Sequence, residues 1–240
     1  MSRKVRICTI SMDAILHTTI RASKEAILCE AEEKMRLGAL DKPDLFLFPE
    51  VFLLNDTAEA WRDPANPDEE GNATFQRLAE AARSYHAYVA APLLTREAGK
   101  AYNSTVLFDR EGRVVFTYHK TFLTRTESEA GVTPGTRTPA CFDADFGRLG
   151  VAICFDLNFQ PLFKHYYNQG IELLLFPSYF PGGLLLRTWA YLYMFHAVSS
   201  HAQGFESVFV NNLGMVEARA DLFNQALTHE FELDSVVAPY

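Results

Sequence analysis

Apolar and polar positions follow two periods along this 240-residue chain. Short β-branched and aromatic runs, alternating or uninterrupted, predict strands at 5–10, 44–49, 87–93, 103–109, 113–119, 140–144, 148–153, 171–177, 206–211 and 226–233. The unbroken run DLFLFP at 44–49 has the character of a strand covered on both faces. Helical spacing predicts helices over 22–38, 73–86, 159–169 and 184–200. In the first of these, Ala22, Ala26, Ile27, Glu30 and Lys34 separate into two faces, and Gly38 is read as the stop. Asp109-Arg-Glu-Gly112 reads as the turn of a hairpin between 103–109 and 113–119. An acidic, Pro-rich stretch at 54–71 and a second stretch at 121–139 carry neither period and are read as irregular.

One segment is echoed. Asp44–Glu50 reads DLFLFPE and Glu172–Ser178 reads ELLLFPS, each after a helix that ends in glycine. Two similar strand–helix–strand units predict an α/β fold with two sheets back to back and helices outside. No linker composition divides the chain, so 1–240 is read as a single domain.

Composition narrows the function classes. A chain of this length can bury roughly 70% of its unfolded surface, and 48% hydrophobic with 22% charged residues is ordinary for a globular protein. A net charge of −8 argues against nucleic acid as a partner. Cys8, Cys29, Cys141 and Cys154 are too scattered for a disulfide framework or a zinc site, so no metal is expected. The N-terminal MSRKVRICTISM lacks the apolar run of a signal peptide. The longest apolar stretch, 184–198, is broken by Arg187 and His196, so no membrane span is expected. These features predict a cytoplasmic protein with reduced thiols. Asn72-Ala-Thr and Asn103-Ser-Thr match a glycosylation pattern that is idle in that compartment.

Three residues stand out by position. Glu50 closes an apolar strand, where α/β sheets place their ligands and where desolvation favours a usable base. Its ordinary reading is a solvated acid just past a strand. Cys154 closes Gly150-Val-Ala-Ile and precedes a helix, where a helix N-terminus would lower a thiol pKa and backbone N–H groups would bind an oxyanion. The ordinary reading is a small buried hydrophobe, which suits Cys8, Cys29 and Cys141. Lys120 closes Val114–His119, a cation placed to support a thiolate or oxyanion, or else a surface lysine. His119 and Lys120 are adjacent on a strand, so only one of them faces the site.

Acid, lysine and cysteine, each at the carboxyl end of a strand, resemble the nitrilase (carbon–nitrogen hydrolase) superfamily. The resemblance rests on Phe48-Pro49-Glu50, Tyr118-His119-Lys120 and Gly150-Val-Ala-Ile-Cys154-Phe155-Asp156, in order, and extends from the first strand to 227–234. It implies a four-layer α-β-β-α sandwich and a Glu50–Lys120–Cys154 triad. Glu50 would serve as base, Cys154 as nucleophile, and Lys120 with the Phe155 backbone N–H as oxyanion donors. It implies no cofactor, a small-molecule amide-type substrate and a thioester intermediate, the thioester passing to water or, in an acyltransferase, to an amine. A catalytically silent binding relative is the non-enzyme alternative.

Phe155-Asp156 resembles the amidase and carbamoylase branches, whereas Asn158 stands where the family often has Arg. A second acid often follows the lysine; Glu127 and Glu129 both qualify, with Glu127 preferred on spacing. Tyr179, Phe180 and Pro181 are candidate pocket walls. The family dimerises through helices matching 184–200, so a homodimer or higher homo-oligomer is expected, with His196 and His201 as packed or interface residues. Asp156-Leu157-Asn158 also resembles the Asp-x-Asn of metal-dependent phosphoesterases, but the rest of that pattern is missing.

Overall fold

The strand pattern resolves into two mixed sheets in a computed structural model, which describes residues 2–12, 24–54, 58–63, 66–202, 205–221 and 223–235. The first sheet is built from β1 (Lys4–Ile10), β2 (Leu45–Leu47), β3 (Tyr88–Glu97), β4 (Lys100–Phe108), β5 (Val114–His119) and β12 (Ala226–Glu232). The second is built from β6 (Phe142–Ala144), β7 (Gly147–Val151), β8 (Leu173–Ser178), β9 (His196–His201), β10 (Ser207–Val210) and β11 (Val216–Ala220). Their orders are β12-β1-β2-β3-β4-β5 and β11-β10-β9-β8-β7-β6.

The echoed segments are the centres of two matching halves. β2 lies between β1 and β3 in one parallel trio, and β8 lies between β7 and β9 in the other. Each trio is extended by an antiparallel pair on one side and a single antiparallel strand on the other. Helix α1 (Lys24–Gly38) and α3 (Ala73–Tyr85) connect the first trio; α5 (Gln160–Gln169) and α6 (Gly183–Tyr193) connect the second.

Burial on both faces explains the unbroken apolar runs. Leu45 and Leu47 turn inward to meet Leu173, Leu175 and Phe209 between the sheets. Phe46 and Phe48 turn outward against Met35, Phe75 and Leu78. On the opposite outer face, Phe163, Tyr166, Trp189 and Phe195 pack with Leu174 and Phe176. Each such side chain contributes about 1.5–3 kcal/mol by leaving water. The layers are therefore α-β-β-α, as expected.

Several boundaries differ from the sequence reading. The apolar stretch at 184–200 is not one helix: α6 ends at Tyr193, Met194 takes a left-handed conformation (φ 53), and 196–201 is β9. His196 and Ala197 matched helical spacing, yet pairing with β8 decided their state. Strand β11 was missed because it is short and carries Glu217 and Arg219 on its outer face. The stretches read as irregular each contain a short helix, α2 (Ala58–Arg62) and α4 (Arg125–Glu129). Positions 22 and 23 of the first helix, and 55–57 and 64–65 of the acidic stretch, lie outside the described residues. Gly38 does not supply the left-handed stop, which falls at Lys42 (φ 50). A Cβ at Gly38 would lie 2.5 Å from Cys8 Sγ, so the glycine serves the close approach of α1 to β1.

A polar seam crosses between the trios. Thr9 Oγ1 donates to the Ser199 carbonyl at 2.7 Å, Ser200 Oγ to the Ile10 carbonyl at 2.7 Å, and Ser11 Oγ meets Ser207 Oγ at 2.9 Å. His201 closes β9 with Nδ1 at 2.7 Å from the Glu206 carbonyl, while its Nε2 is buried with no partner. Burial pushes its pKa down to about 4. The unfolded imidazole takes a proton below about 6.5 and the folded one does not. Stability is therefore full above that value and falls as pH drops towards 4, with a slope of about 1.4 kcal/mol per pH unit for this one proton. Urea unfolding between pH 4 and 7 should be less pH-dependent in His201→Phe; an unchanged slope would place the proton elsewhere.

Candidate active site

The ends of three strands and one short helix converge on a buried ionic cluster. Glu50 follows β2 after Phe48 and Pro49, and Phe48 N–H still bonds the Ala90 carbonyl at 3.2 Å, so the strand register carries the acid inward. Glu50 is 2% exposed. Its Oε1 accepts from Lys120 Nζ at 2.7 Å and from Asn103 Nδ2 at 2.8 Å. Its Oε2 accepts only a longer bond, 3.2 Å, from the Tyr179 backbone N–H.

Lys120 follows β5, and its N–H bonds the Asn103 carbonyl of β4 at 2.8 Å. Strand alternation sends His119 the other way, to Ser104 Oγ at 2.8 Å and Glu97 at 3.1 Å. Lys120 Nζ reaches Glu127 Oε1 at 2.9 Å and Oε2 at 3.0 Å. Burial works against its charge, but Glu50 and Glu127 outweigh it and hold the ammonium pKa above its usual range.

The structure separates the two candidate second acids. Glu127 is buried in α4, where Thr124-Arg-Thr-Glu127 forms a capping box: Thr124 N–H and Oγ1 donate to Glu127 Oε2 at 2.7 and 2.9 Å. One carboxylate thus caps its own helix and grips Lys120. Glu129 lies on the surface, paired with Arg125 at 2.7 Å, and has no place in the cluster. The Thr-x-x-Glu pattern was the available signal for this helix.

Cys154 follows β7 and opens a single 3-10 turn, Cys154–Asn158, with φ 46. The thiol sits beside Glu50, Lys120 and Ser178. The expected lowering of its pKa is reversed: burial first, then the Glu50 charge, push it up to about 12, against a smaller pull from Lys120. The physical reason is that α5 begins only at Gln160, so no helix N-terminus faces the sulfur. Asp156 holds the turn. Its Oδ2 accepts from Ile153 N–H at 2.9 Å and Tyr118 OH at 2.7 Å, and its Oδ1 from Phe122 N–H at 2.7 Å. These bonds tie the cysteine turn to both sides of Lys120 and leave Asp156 no metal-ligand role. Asn158, where the family often has Arg, is exposed and bonds the Phe155 carbonyl at 3.0 Å.

A cavity of about 190 Å³ opens on the cluster, lined by Glu50, Lys120, Glu127, Cys154, Tyr179 and Phe180, with Trp61, Thr124 and Thr126. Tyr179 is anchored by its OH donating to the Leu54 carbonyl at 3.1 Å. Pro181 is not part of the wall. The Phe155 side chain is not in it either; it meets the Phe159 ring edge-on at 5.5 Å, and only its backbone follows the nucleophile position. Trp61 and Asn103 were missed. Trp61 sat in a stretch read as loop, and Asn103 was read as an idle glycosylation acceptor; the signal was a polar residue inside an otherwise apolar strand.

A family profile described as Carbon-nitrogen hydrolase matches residues 5–231. The chain belongs to the carbon–nitrogen hydrolase family. Among curated relatives, deaminated glutathione amidase of Synechocystis sp. is 32% identical over 183 residues, 70% of this chain and 65% of that protein. Human omega-amidase NIT2 is 26% identical over 175 residues, 70% of this chain and 63% of that one. This carbon–nitrogen hydrolase thus spans a little under two thirds of those relatives' length. In fold it matches yeast Nit3, of the nitrilase superfamily, with a TM-score of 0.83 at 21% identity, covering 97% of this chain and 91% of that one. An amidase from Nesterenkonia sp. matches with a TM-score of 0.84 at 19% identity, covering 97% and 92%. Among the described residues, no helix is long and apolar enough to cross a membrane.

Proposed function

We propose that this chain is a single-domain thiol hydrolase that cleaves the non-peptide C–N bond of a small amide or N-carbamoyl compound. The observation that carries this reading is the unequal loading of Glu50: Oε1 is occupied by Lys120 and Asn103, while Oε2 is left lightly held on the side of the thiol. A thiol whose pKa lies near 12 stays protonated at rest. Glu50 therefore acts as general base, taking the proton as sulfur attacks the carbonyl carbon. Lys120 and the Phe155 N–H stabilise the oxyanion. The C–N bond breaks as Glu50 returns the proton to nitrogen, releasing ammonia or an amine. Water then gives a proton to Glu50 and attacks the thioester, releasing the acid, and the thiol is restored. Glu127 holds Lys120 in place.

The cavity is smaller than the roughly 300–1,000 Å³ of drug-sized sites and holds about six waters' worth of space, which supports a short acyl group. A structural neighbour, the Nesterenkonia sp. AN1 amidase, carries the acetamide moiety of fluoroacetamide at its active site cysteine. A cytoplasmic location, where thiols stay reduced, belongs to the same reading. So does a homodimer, supported by Leu184, Tyr191, Leu192 and Met194, which are exposed on and just after α6; light scattering should give twice the chain mass, and a monomer would refute it.

The test of function is intact-protein mass spectrometry with a panel of aliphatic, aromatic and N-carbamoyl amides. Wild type should gain an acyl adduct and release ammonia or amine, and Cys154→Ala should do neither. Equal turnover by Cys154→Ala would refute the assignment.

A further inference from the structure

We propose that Asn103 is a positioning residue of this site, its carboxamide nitrogen closing a ring that orients Glu50 for proton transfer. The inference rests on the hydrolase reading above. Asn103 Nδ2 lies 2.8 Å from Glu50 Oε1 and 2.7 Å from Glu127 Oε1. Lys120 Nζ lies 2.7 and 2.9 Å from the same two oxygens. Two donors and two acceptors therefore alternate around a closed loop. The side chain is fully buried, and its own carbonyl takes the Lys120 N–H at 2.8 Å. One residue of β4 thus sets the main chain of the lysine and the side chains of both acids.

The chemistry favours a primary carboxamide here. Two buried carboxylates face one ammonium, so a further pair of N–H dipoles is needed without a further charge. A single neutral nitrogen with two hydrogens meets that need. A hydroxyl offers one hydrogen, an aspartate would add a third anion, and a second cation would compete with Lys120. The orientation is also determined, because flipping the amide would turn its oxygen against both carboxylates. The cost is visible in the structure: Asn103 Oδ1 is buried with no partner, a state that opposes stability. Its retention follows from the work of Nδ2 on the other side of the group. With Oε1 held by two donors, the Glu50 carboxylate cannot rotate freely, and Oε2 is the oxygen presented to the Cys154 thiol.

Alkylation of Cys154 by iodoacetamide, followed by intact mass across pH 4–9, tests this without a known substrate. In wild type, Glu50 takes the thiol proton as sulfur displaces iodide, so the rate should show an acidic limb. Asn103→Leu removes both donors, which makes ionisation of Glu50 less favourable. The limb should move up by about one pH unit and the rate below it should fall about tenfold. Asn103→Ser, with one hydrogen to give, should fall between and serves if Asn103→Leu does not fold. Folded variants with the wild-type limb, or with rates lowered equally at every pH, would overturn the positioning role. A wild type with no acidic limb, or with Cys154 no faster than thiols of the urea-unfolded chain, would instead overturn the hydrolase reading and the inference with it.

Discussion

Lys120→Met lowers the unfolding free energy by about 3–5 kcal/mol, the usual cost of removing one partner from a buried ion pair. The side chains of Lys120, Glu50 and Glu127 are 1%, 3% and 3% exposed, so water cannot replace the lost cation. Methionine matches the stem in volume, which keeps cavity formation out of the measurement. What remains is two carboxylates sharing Asn103 as their neutral donor, and at least one of them must take a proton or leave its place. Turnover is lost for the same reason, since both oxyanion support and base orientation depend on the ammonium. Adding Glu127→Gln to Lys120→Met removes one of the stranded charges and should recover part of the stability. Urea unfolding at pH 7 checks both statements. A Lys120→Met protein within about 1 kcal/mol of wild type would mean that the cluster is not an ionic unit.

Cys154→Gly should abolish turnover and yet be at least as stable as Cys154→Ala. Removing a nucleophile from a working triad costs on the order of 10⁴-fold or more in rate. The stability order comes from the backbone. Cys154 has φ 46, a left-handed conformation that is strained for a residue with a Cβ and free for glycine. Such strain costs roughly 1–3 kcal/mol and persists where surrounding bonds over-determine it. Here Asp156 supplies them, holding the N–H of Ile153 on one side and the Lys120 strand end on the other. Alanine keeps the strain and loses the sulfur, whereas glycine loses both. In an ordinary strand or helix glycine would instead be worse than alanine by about 0.5–1 kcal/mol. Thermal unfolding of the two variants decides the matter, and an alanine variant more stable by that margin would show that the turn is relaxed.

The strain at Cys154 marks the limit of what the residues announced in order. The sequence by itself determined the layers, because burial on both faces writes unbroken apolar runs such as 44–49 and 171–177. It also determined where Glu50, Lys120 and Cys154 stand, because each closes such a run and a strand's end is a local property. The echo of 44–50 in 172–178 was legible for the same reason, and it became the matched trios around β2 and β8. Gly38 was visible as a glycine, but its reason, the nearness of Cys8, was not.

Tertiary structure decided the rest. At 184–200, apolar spacing served a helix and a strand equally, and pairing with β8 chose between them. Glu127 and Glu129 are two residues apart in one loop, and only the Thr124 cap with the reach to Lys120 separates them. Asn103 has no sequence neighbour that reveals it, because its partners Glu50 and Glu127 lie 53 and 24 residues away. The direction of the Cys154 shift depends on desolvation and on charges brought in from other strands, so a helix-terminus argument made along the chain gave the wrong sign. Periodicity and turn chemistry act between neighbours and can be read in order. Desolvation and ion pairing act between residues that only the closed fold brings within about 3 Å, the distance at which hydrogen bonds form.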